Sequence, residues 1–552
     1  LIGSDLFDVS YETARLNFIG RNKDLDCPSV FESNKSLSNT LGTVLDPILS
    51  IRTNISLLKD VKKQVYFITG VASSKEDVIK LVKEYSEVSR LESSFNMYNK
   101  SMQIELKSFN ISSEQANIYQ ALASYMLFLN YNMKSYEKYI KNINKFQKDL
   151  WAYGISGDLK IAMVDIQNNE EMNLAIAMIK MHKYWRSKGL KTDLIIYNNE
   201  KISYDQPLQK EILNSINNLY LEDVINKQGG VFLYNKSTMG EDIHDFLLGI
   251  ASFYINKERE TILTQITSDD IVEDMRYDFP ENINDLDENM TEAKIYDITS
   301  ELDFFNGYGG FDKKDSSYVI YLNNNKNTPA PWINVIANNN FGFNVSESGS
   351  SHTWCENSRE NKITPWSNDY IKDTLGEALY IRDDESGKYF SISPEPVRDN
   401  GEYLIRHGFG YSIFNHKALE IKSEMTLFCP KDEKVKIEKI VLENTSNRDR
   451  EISVFFYAQL VLGVLNFNTK KYITTYKKDN YIFGENRYSE YFGKLKAYAT
   501  ILGGDSLNFT CDRSDFLGFD KGLKAPKALR EKNLKGVFGS VLDSCLVIQN
   551  KT

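Results

Sequence analysis

Side chains that could bind a sugar are concentrated between residues 328 and 369, where three of the five tryptophans lie. An aromatic ring stacks on the CH face of a pyranose, while amide, guanidinium and carboxylate groups form paired hydrogen bonds with neighbouring hydroxyls. The residues of this segment that combine both kinds of group are Trp354, Asn357, Arg359, Glu360, Trp366, Asn368 and Asp369. Polar side chains beside fixed aromatic rings are what a carbohydrate-binding surface requires.

Short strands must position these residues. Residues 332–337 and 341–345 are β-prone, and the three consecutive asparagines between them are a turn signal. Residues 352–354 could begin a third strand, and a Pro-Trp pair near each end of the segment fixes the backbone beside a large ring. The same residues also fit a purely structural role, in which the tryptophans belong to the core and the polar run at 356–361 is a solvated loop.

The two ends of the chain share a sequence pattern. Phe18-Ile-Gly20 corresponds to Phe516-Leu-Gly518, and a Gly-x-Val-Leu-Asp sequence ends at both Asp46 and Asp543. Self-similarity of this kind indicates two copies of one structural unit. We therefore expect the two ends to be the same part of one domain type, with Asp46 and Asp543 in equivalent positions near a strand end.

The middle of the chain has a different character. Within residues 158–257, apolar runs at 159–166, 192–197 and 230–234 alternate with helical patterns. Alternating strands and helices predict a small parallel α/β domain. Residues 258–300 are acidic and lack a regular pattern, so we expect a linker there.

Two further patterns give local predictions. Residues 435–442 and 452–460 are typical of the two strands of a hairpin, and the polar run at 444–450 would form its turn. Residues 102–109 are predicted to be extended.

Composition limits the classes of function. A net charge of −10 and a pI near 5.4 argue against a nucleic-acid partner, which requires a basic face. The five histidines and five cysteines show no ligand spacing, so the sequence predicts no metal site. Gly154 and Gly157 precede the first α/β strand, whereas a phosphate-binding loop follows a strand. The position of these glycines therefore argues against a nucleotide-binding site.

The scattered cysteines fit reduced thiols in the cytoplasm, and no apolar run is long enough to span a membrane.

Longer strings of sequence resemble one enzyme family. The resemblance is carried by residues 334–369, Phe305-Asn-Gly-Tyr-Gly-Gly-Phe311, Arg406-His-Gly-Phe-Gly-Tyr411 and Trp151-Ala-Tyr-Gly-Ile-Ser-Gly-Asp-Leu159. These strings are similar to glycoside hydrolase family 94, which includes cyclic β-1,2-glucan synthases and 1,2-β-oligoglucan phosphorylases. The resemblance extends over nearly the whole chain, and strings of this length in this order are more specific than any short motif.

The resemblance implies a mixed, mainly β fold. It consists of two galactose-mutarotase-like β-sandwich (supersandwich) domains, separated by linker helices and a small three-layer α/β domain. The expected divisions are residues 1–110 for the C-terminal part of the first sandwich, 111–150 for linker helices, 151–257 for the α/β domain, 258–300 for a linker and 301–552 for a second sandwich without its last strands.

The resemblance assigns no catalytic residue. The family carries its catalytic acid, an Asp, on an (α/α)6 barrel that follows the second sandwich, and no stretch here resembles that barrel. Because the chain also begins at Leu1 and not at Met, we expect a fragment that is inactive alone. Its implied role is carbohydrate binding or scaffolding in a cyclic β-1,2-glucan synthase. The alternatives are a 1,2-β-oligoglucan phosphorylase, which releases glucose 1-phosphate, and a non-catalytic carbohydrate-binding protein.

The implied partners follow from that role. They are β-1,2-glucan or oligoglucan, the barrel in cis and a second copy in a homodimer. No cofactor is implied, although inorganic phosphate would be the co-substrate of a phosphorylase. The location would be cytoplasmic, at the cytoplasmic face of the membrane for a synthase. Residues 328–369 are then expected to form a structured loop that faces the barrel, where the seven candidate residues contact sugar or the barrel itself.

Overall fold

The computed structural model describes residues 2–3, 6–128, 137–200, 206–259, 277–279, 301–323, 326–503, 506–519, 522–541 and 543–552. The chain divides into two compact units. The first comprises Leu1–Asn110, Pro329–Pro331 and Asn368–Asp373, and the second comprises Ile111–Thr328, Trp332–Ser367 and Thr374–Thr552. Within the described parts of the chain, no helix combines the length and the apolar character that crossing a bilayer requires.

The first unit is built on an antiparallel strand pair followed by helices. Its elements are β1 (Ile2–Gly3), β2 (Leu6–Ala14), α1 (Arg15–Ile19), β3 (Pro47–Ile55), β4 (Val65–Tyr66), α2 (Lys75–Glu84) and α3 (Val88–Ser108). β2 pairs with β3, and β1 pairs with β4. The extended conformation predicted for residues 102–109 is wrong, because α3 continues to Ser108. Met, Gln, Glu, Leu and Lys dominate this stretch, and all of them have high helix propensity.

The second unit begins with a parallel α/β region. Its elements are α4 (Ser113–Leu127), α5 (Glu137–Lys141), β5 (Ile161–Ile166), α6 (Met172–Ser187), β6 (Asp193–Asn198), α7 (Pro207–Asn218), β7 (Val231–Asn235), α8 (Glu241–Ile250) and β8 (Phe253–Ile255). The four strands are parallel, in the order β7-β6-β5-β8. Every residue of β5 and β6 is buried, as expected for parallel strands covered on both faces. The alternation of strands and helices predicted here is confirmed.

The rest of the second unit is antiparallel β-structure. Its elements are β9 (Leu302–Asp303), β10 (Gly309–Asp312), β11 (Tyr318–Leu322), β12 (Ile333–Ala337), β13 (Phe341–Ser346), β14 (Ser351–Cys355), β15 (Glu377–Asp383), β16 (Tyr389–Phe390), β17 (Tyr403–Gly408), β18 (Tyr411–Ala418), β19 (Ile421–Phe428), β20 (Ile437–Asn444), β21 (Ile452–Gln459), α9 (Asn466–Thr469), β22 (Ile473–Lys478), β23 (Tyr481–Asn486), β24 (Ala497–Thr500), β25 (Ser506–Asp512), α10 (Arg513–Leu517) and β26 (Ser544–Lys551). The predicted mixed, mainly β fold is confirmed.

A five-stranded sheet, in the order β16-β15-β21-β26-β25, is the centre of this β-structure. Part of one face, including Leu379 and Val454, shares a core with the seven-stranded sheet β20-β19-β18-β17-β11-β10-β9. Another part of that face, including Leu546 and Ile548, packs with the three-stranded sheet β22-β23-β24. The opposite face, which carries Tyr457, is covered by α10 and a short 3-10 helix. The core shared with the seven-stranded sheet also includes Ile336 and Phe343 of the β12–β14 sheet, so the central sheet packs between a helical layer and three separate sheets.

The hairpin predicted for residues 435–442 and 452–460 is wrong. β20 pairs with β19 in the seven-stranded sheet, whereas β21 pairs with β15 and β26 in the central sheet. The burial patterns explain the difference. Side chains of β20 alternate in exposure, as in an edge strand with one wet face, while β21 is largely buried on both faces. Two strands with such different surroundings belong to different layers.

The repeat seen in the sequence corresponds to a repeated structural motif. In each copy a strand runs into a short helix that ends at a glycine with positive φ, Gly20 or Gly518. The first helical residue donates its amide hydrogen to an aspartate carbonyl at 3.0 Å, from Arg15 to Asp46 and from Arg513 to Asp543. The same arginines form side-chain ion pairs with these aspartates, at 2.7 and 3.3 Å. Both aspartates directly precede a strand, as the sequence pattern predicts.

Candidate functional site

The candidate sugar-binding segment is a three-stranded antiparallel sheet with a polar turn and a return segment. β12 pairs with β13, and β13 pairs with β14. The two strands and the turn predicted at residues 332–345 are confirmed, and the possible third strand is β14. The expectation of a structured loop is therefore wrong for residues 333–355, which form three paired strands, whereas residues 356–369 lie outside the strands. The chain here alternates β-branched, aromatic and small residues, which pack well on a pleated surface.

Two of the candidate tryptophans lie against a buried histidine. The His352 ring centre is 5.4 Å from that of Trp354 and 5.7 Å from that of Trp366. The ring of Trp366 is nearly parallel to His352, with an interplanar angle of 10°, and its residue is 51% exposed. One face of the Trp366 indole is thus supported by protein, and the arrangement can present an aromatic surface to a pyranose ring.

Backbone geometry fixes this aromatic group. His352 Nδ1 donates a hydrogen bond to the carbonyl oxygen of Thr364 at 2.9 Å, which ties β14 to the returning chain. Burial lowers the pKa of His352, so the ring is neutral at neutral pH. Gly342 lies opposite Trp354 in the β13–β14 register. A Cβ at Gly342 would lie 2.7 Å from Cζ2 of Trp354, so only glycine leaves room for the ring.

The polar candidates Asn357, Arg359 and Glu360 follow β14 in one tight turn. Asn357 Oδ1 accepts hydrogen bonds from the amides of Arg359 and Glu360, at 2.9 and 2.8 Å. The Arg359 side chain is 84% exposed, and its Nε lies 3.4 Å from Oε1 of Glu360. The Asn357 oxygen is therefore committed to the turn, while the guanidinium of Arg359 remains accessible.

Asn368 and Asp369 belong to the first unit. The guanidinium of Arg15 binds Asp369 through two nitrogens, at 2.6 and 3.1 Å, and also binds Asp46. Burial raises the pKa of Asp369, but hydrogen bonds from Arg15 and from two backbone amides outweigh it and leave the pKa below its usual value. The carboxylate of Asp369 is an ion-pair partner here, and its site role stays a prediction.

A buried ion pair close to this sheet was not predicted from the sequence. Glu377 accepts hydrogen bonds from the hydroxyls of Thr353 and Thr364, at 2.5 and 2.7 Å, and pairs with Lys436. Burial raises the pKa of Glu377, but Lys436 and the two hydroxyls have the larger combined effect and lower it overall. No local signal could have identified the pair, because its members are 59 residues apart in the chain.

The described residues around the tryptophans form no metal-ligand cluster, and two of their carboxylates have structural partners. Among them, no three His, Cys, Asp or Glu side chains are grouped as metal ligands. Glu347 accepts a hydrogen bond from the Trp332 amide at 2.7 Å, and Glu356 pairs with Lys434 at 2.5 Å. The carboxylates around the tryptophans are thus engaged in structural contacts. The site presents an aromatic face and an exposed guanidinium, which suit recognition of a neutral polyol.

Comparisons with known proteins identify sequences that the chain resembles. The sequence model described as "Glycosyl hydrolase 94, supersandwich domain" matches residues 2–88 and 316–552, which is more than half of the chain. The cyclic beta-(1,2)-glucan synthase NdvB of Rhizobium meliloti (strain 1021) is 28% identical over 531 residues, which cover 94% of this chain and 19% of the synthase.

Two phosphorylases are also similar over shorter stretches. The N,N'-diacetylchitobiose phosphorylase of Vibrio furnissii is 29% identical over 230 residues, covering 40% of this chain and 28% of the phosphorylase. That of Vibrio proteolyticus is 36% identical over 155 residues, covering 28% of this chain and 19% of the phosphorylase. The chain therefore spans less than a third of the length of each of these relatives.

Proposed function

The chain belongs to glycoside hydrolase family 94, and on that basis we propose that it forms the carbohydrate-binding and scaffolding region of a cyclic β-1,2-glucan synthase. The observation that carries carbohydrate binding is the exposed ring of Trp366, stacked on the buried His352. The choice of synthase is supported by similarity along 94% of the chain to a protein of that name. In this proposal β-1,2-glucan is the ligand, and the location is the cytoplasmic face of the membrane.

In this proposal, the chain itself catalyses no bond-breaking step. The catalytic acid would come from an (α/α)6 barrel in cis, and Trp354, Trp366 and Arg359 would hold the glucan or the barrel. The repeated Arg–Asp motif supports two copies of one sandwich, at residues 1–110 and 301–552, with linker helices at 111–150 and the α/β domain at 151–257. A homodimer is part of the same proposal.

Binding of a β-1,2-linked oligosaccharide tests the proposed function. We expect sophorose and longer β-1,2-gluco-oligosaccharides to quench tryptophan fluorescence in a saturable way. Trp366→Ala should weaken binding at least tenfold, because the stacking surface is lost. Trp151→Ala is the matched control, since Trp151 is 65% exposed and lies in the α/β region. No binding by the wild type, or equal affinities of the two variants, would contradict the proposal.

Arg359→Ala separates sugar contact from a purely structural role of the polar turn. The guanidinium is 84% exposed, so its removal should leave the melting temperature unchanged. Lower oligosaccharide affinity with unchanged melting supports sugar contact. A lower melting temperature in a protein that includes the barrel, with normal affinity, supports barrel contact instead.

A phosphorylase is the second candidate function, because two chitobiose phosphorylases share similarity with the chain. Inorganic phosphate would then be the co-substrate and glucose 1-phosphate the product. Phosphate-dependent release of glucose 1-phosphate from β-1,2-oligoglucan by the longer protein would favour this candidate. Oligoglucan binding without any turnover in that protein would favour a non-catalytic carbohydrate-binding protein.

A further inference from the structure

The carboxyl edge of the parallel sheet carries a cluster of polar side chains that the proposed carbohydrate function does not use. The chain order reverses direction at β5, because β6 and β7 lie on one side of this strand and β8 lies on the other. In open α/β sheets, ligands bind outside the carboxyl ends of the strands at such a reversal. The ends of β5 and β8 are therefore the expected ligand position in this sheet.

Two residues with unpartnered oxygens occupy this position. Asp165 belongs to β5, and Asn256 directly follows β8. Val164 and Ile255 are register partners, so Asp165 and Asn256 form the next pair along the two parallel strands. Oδ1 of Asp165 and Oδ1 of Asn256 are buried, and neither has a hydrogen-bond partner among the residues that the structure describes. Two acceptor oxygens at the end of one strand pair thus receive no donor from the described chain.

The remaining contacts of Asp165 fix the orientation of its carboxylate. Its Oδ2 accepts hydrogen bonds from His244 Nε2 at 2.9 Å and from the Tyr254 hydroxyl at 3.0 Å. The His244 ring packs against Tyr197, with 4.3 Å between the ring centres. The side chain of Asp165 is only 7% exposed. Neighbours that hold one carboxylate oxygen in this way orient the other oxygen as a ligand for a bound group.

The charge of the buried carboxylate is incompletely balanced. Buried carboxylates are normally paired with a cation or bound to a metal ion. Within the described part of the chain, His244 is the only basic residue in an ion pair with Asp165. Asp245 lies 3.8 Å from the other nitrogen of the same imidazole, so a single imidazole faces two carboxylates. A water molecule would satisfy the free oxygens of Asp165 and Asn256 but would not balance the negative charge.

The neighbouring helix ends favour a cation over an anion. Glu200 accepts hydrogen bonds from the amides of Leu208 and Gln209 at the start of α7, at 3.1 and 3.3 Å. The first turn of α8 contains Glu241 and Asp242. These carboxylates offset the positive helix ends that would otherwise attract a phosphate group. A divalent metal is disfavoured as well, because no three His, Cys, Asp or Glu side chains of the described residues are grouped as its ligands.

We propose that Asp165 and Asn256 hold one small monovalent cation, potassium or ammonium, between the carboxyl ends of β5 and β8. Asp165 supplies the balancing charge and one oxygen, and Asn256 supplies an amide oxygen. Potassium would bind these oxygens directly, whereas ammonium would donate hydrogen bonds to them. β8 has only three residues and pairs with β5 alone in the described sheet, so the cation would strengthen a short edge strand. This inference does not depend on the proposed carbohydrate function.

Thermal melting of the whole chain in three chloride salts at equal concentrations tests the proposal. We expect potassium chloride or ammonium chloride to raise the melting temperature in a saturable way, because a cation that binds only the folded state stabilises it. Tetramethylammonium chloride is the control salt, since its cation has the same charge but no N–H donor and is too bulky to reach buried oxygens. The salt with the larger effect identifies the cation. Equal melting temperatures in all three salts would overturn the proposal.

Variants locate the cation. Asp165→Asn removes the charge and should abolish the salt-specific rise in melting temperature. Asp223→Asn is the matched control and should keep the full rise, because Asp223 is exposed and precedes β7 in the same α/β region. An Asp165→Asn protein that folds and keeps the rise would overturn the proposal.

Asn256→Leu tests the site independently of Asp165, because leucine has a similar size but no oxygen. Asn256 is partly exposed, so this variant should fold even if Asp165→Asn does not, and circular dichroism verifies it. We expect the salt concentration that gives half of the rise in melting temperature to increase severalfold. An unchanged salt response of the folded Asn256→Leu protein would overturn the proposal.

Discussion

At the scale of single residues, the functional candidates and the structural ion pairs are different groups. Arg359 and Trp366 are exposed, whereas Glu377 and Lys436 are buried and satisfied by each other and by neighbouring hydroxyls. A buried pair adds little net stability, but removal of one partner leaves the other charge uncompensated. Lys436 also pairs with Glu438 at 2.7 Å, so the loss of Glu377 should cost more than the loss of a surface partner without leaving Lys436 unpaired.

Glu377→Gln is expected to destabilise the second unit by about 1–3 kcal/mol, because buried Lys436 loses one of its two carboxylate partners and keeps Glu438. Urea denaturation at neutral pH measures the change. Glu356→Gln is the matched control, because Glu356 pairs with Lys434 at the surface, and its cost should stay below about 1 kcal/mol. Similar costs for both substitutions would show that the buried pair is unimportant.

His182 should make stability depend on pH. Its Nε2 donates to the carbonyl of Thr192 at 2.9 Å, and burial lowers its pKa from 6.5 to about 4. Between about pH 6.5 and pH 4, His182 is protonated in the unfolded chain but not in the folded chain. The free energy of unfolding therefore falls as the pH drops through this range. His182→Gln should reduce this slope by up to about 1.4 kcal/mol per pH unit in urea denaturation series. An unchanged slope in the His182→Gln protein would contradict the assignment of this pH dependence to His182.

At the scale of elements, burial decides which strands belong together. β20 and β21 follow each other in the chain, but β20 has one wet face and β21 has almost none. The chain therefore crosses between layers at residues 444–450, where a sequence pattern alone suggests a turn.

The β12–β14 sheet depends on the close approach of the Trp354 ring to Gly342.

Gly342→Ala is expected to destabilise the β12–β14 sheet by about 1–3 kcal/mol, since the new methyl group would overlap both the Trp354 ring and the Cβ of Ala337. Thermal melting and tryptophan fluorescence report the change. Gly70→Ala serves as the control, because no atom lies within 4 Å of its Cβ position. A Gly342→Ala protein that melts like the Gly70→Ala protein would refute the packing argument.

At the scale of the whole molecule, the chain consists of two compact units that contain two copies of the strand–helix–Arg–Asp motif. The family match also falls in two parts, residues 2–88 and 316–552. Both observations support the proposed pair of sandwiches. In each motif the arginine is paired with the aspartate that precedes the following strand, and Arg15 also binds Asp369.

We predict that the 552-residue chain alone does not turn over substrate. Incubated with β-1,2-oligoglucan and phosphate, it should release no glucose 1-phosphate above a no-protein control. The reason is that the proposed acid belongs to a barrel that no stretch of this sequence resembles. Release that depends on the protein concentration would contradict the prediction.

The sequence by itself determined the family, the mainly β fold, the α/β alternation and the repeated Phe-x-Gly and Gly-x-Val-Leu-Asp patterns. These features rest on local patterns and long similar strings, which do not depend on contacts between distant residues. Only the tertiary structure decided that β20 and β21 separate, that His352 supports Trp366, and that Glu377 meets Lys436. Such pairings join residues far apart in the chain, and burial on folding selects among partners that the sequence leaves equivalent.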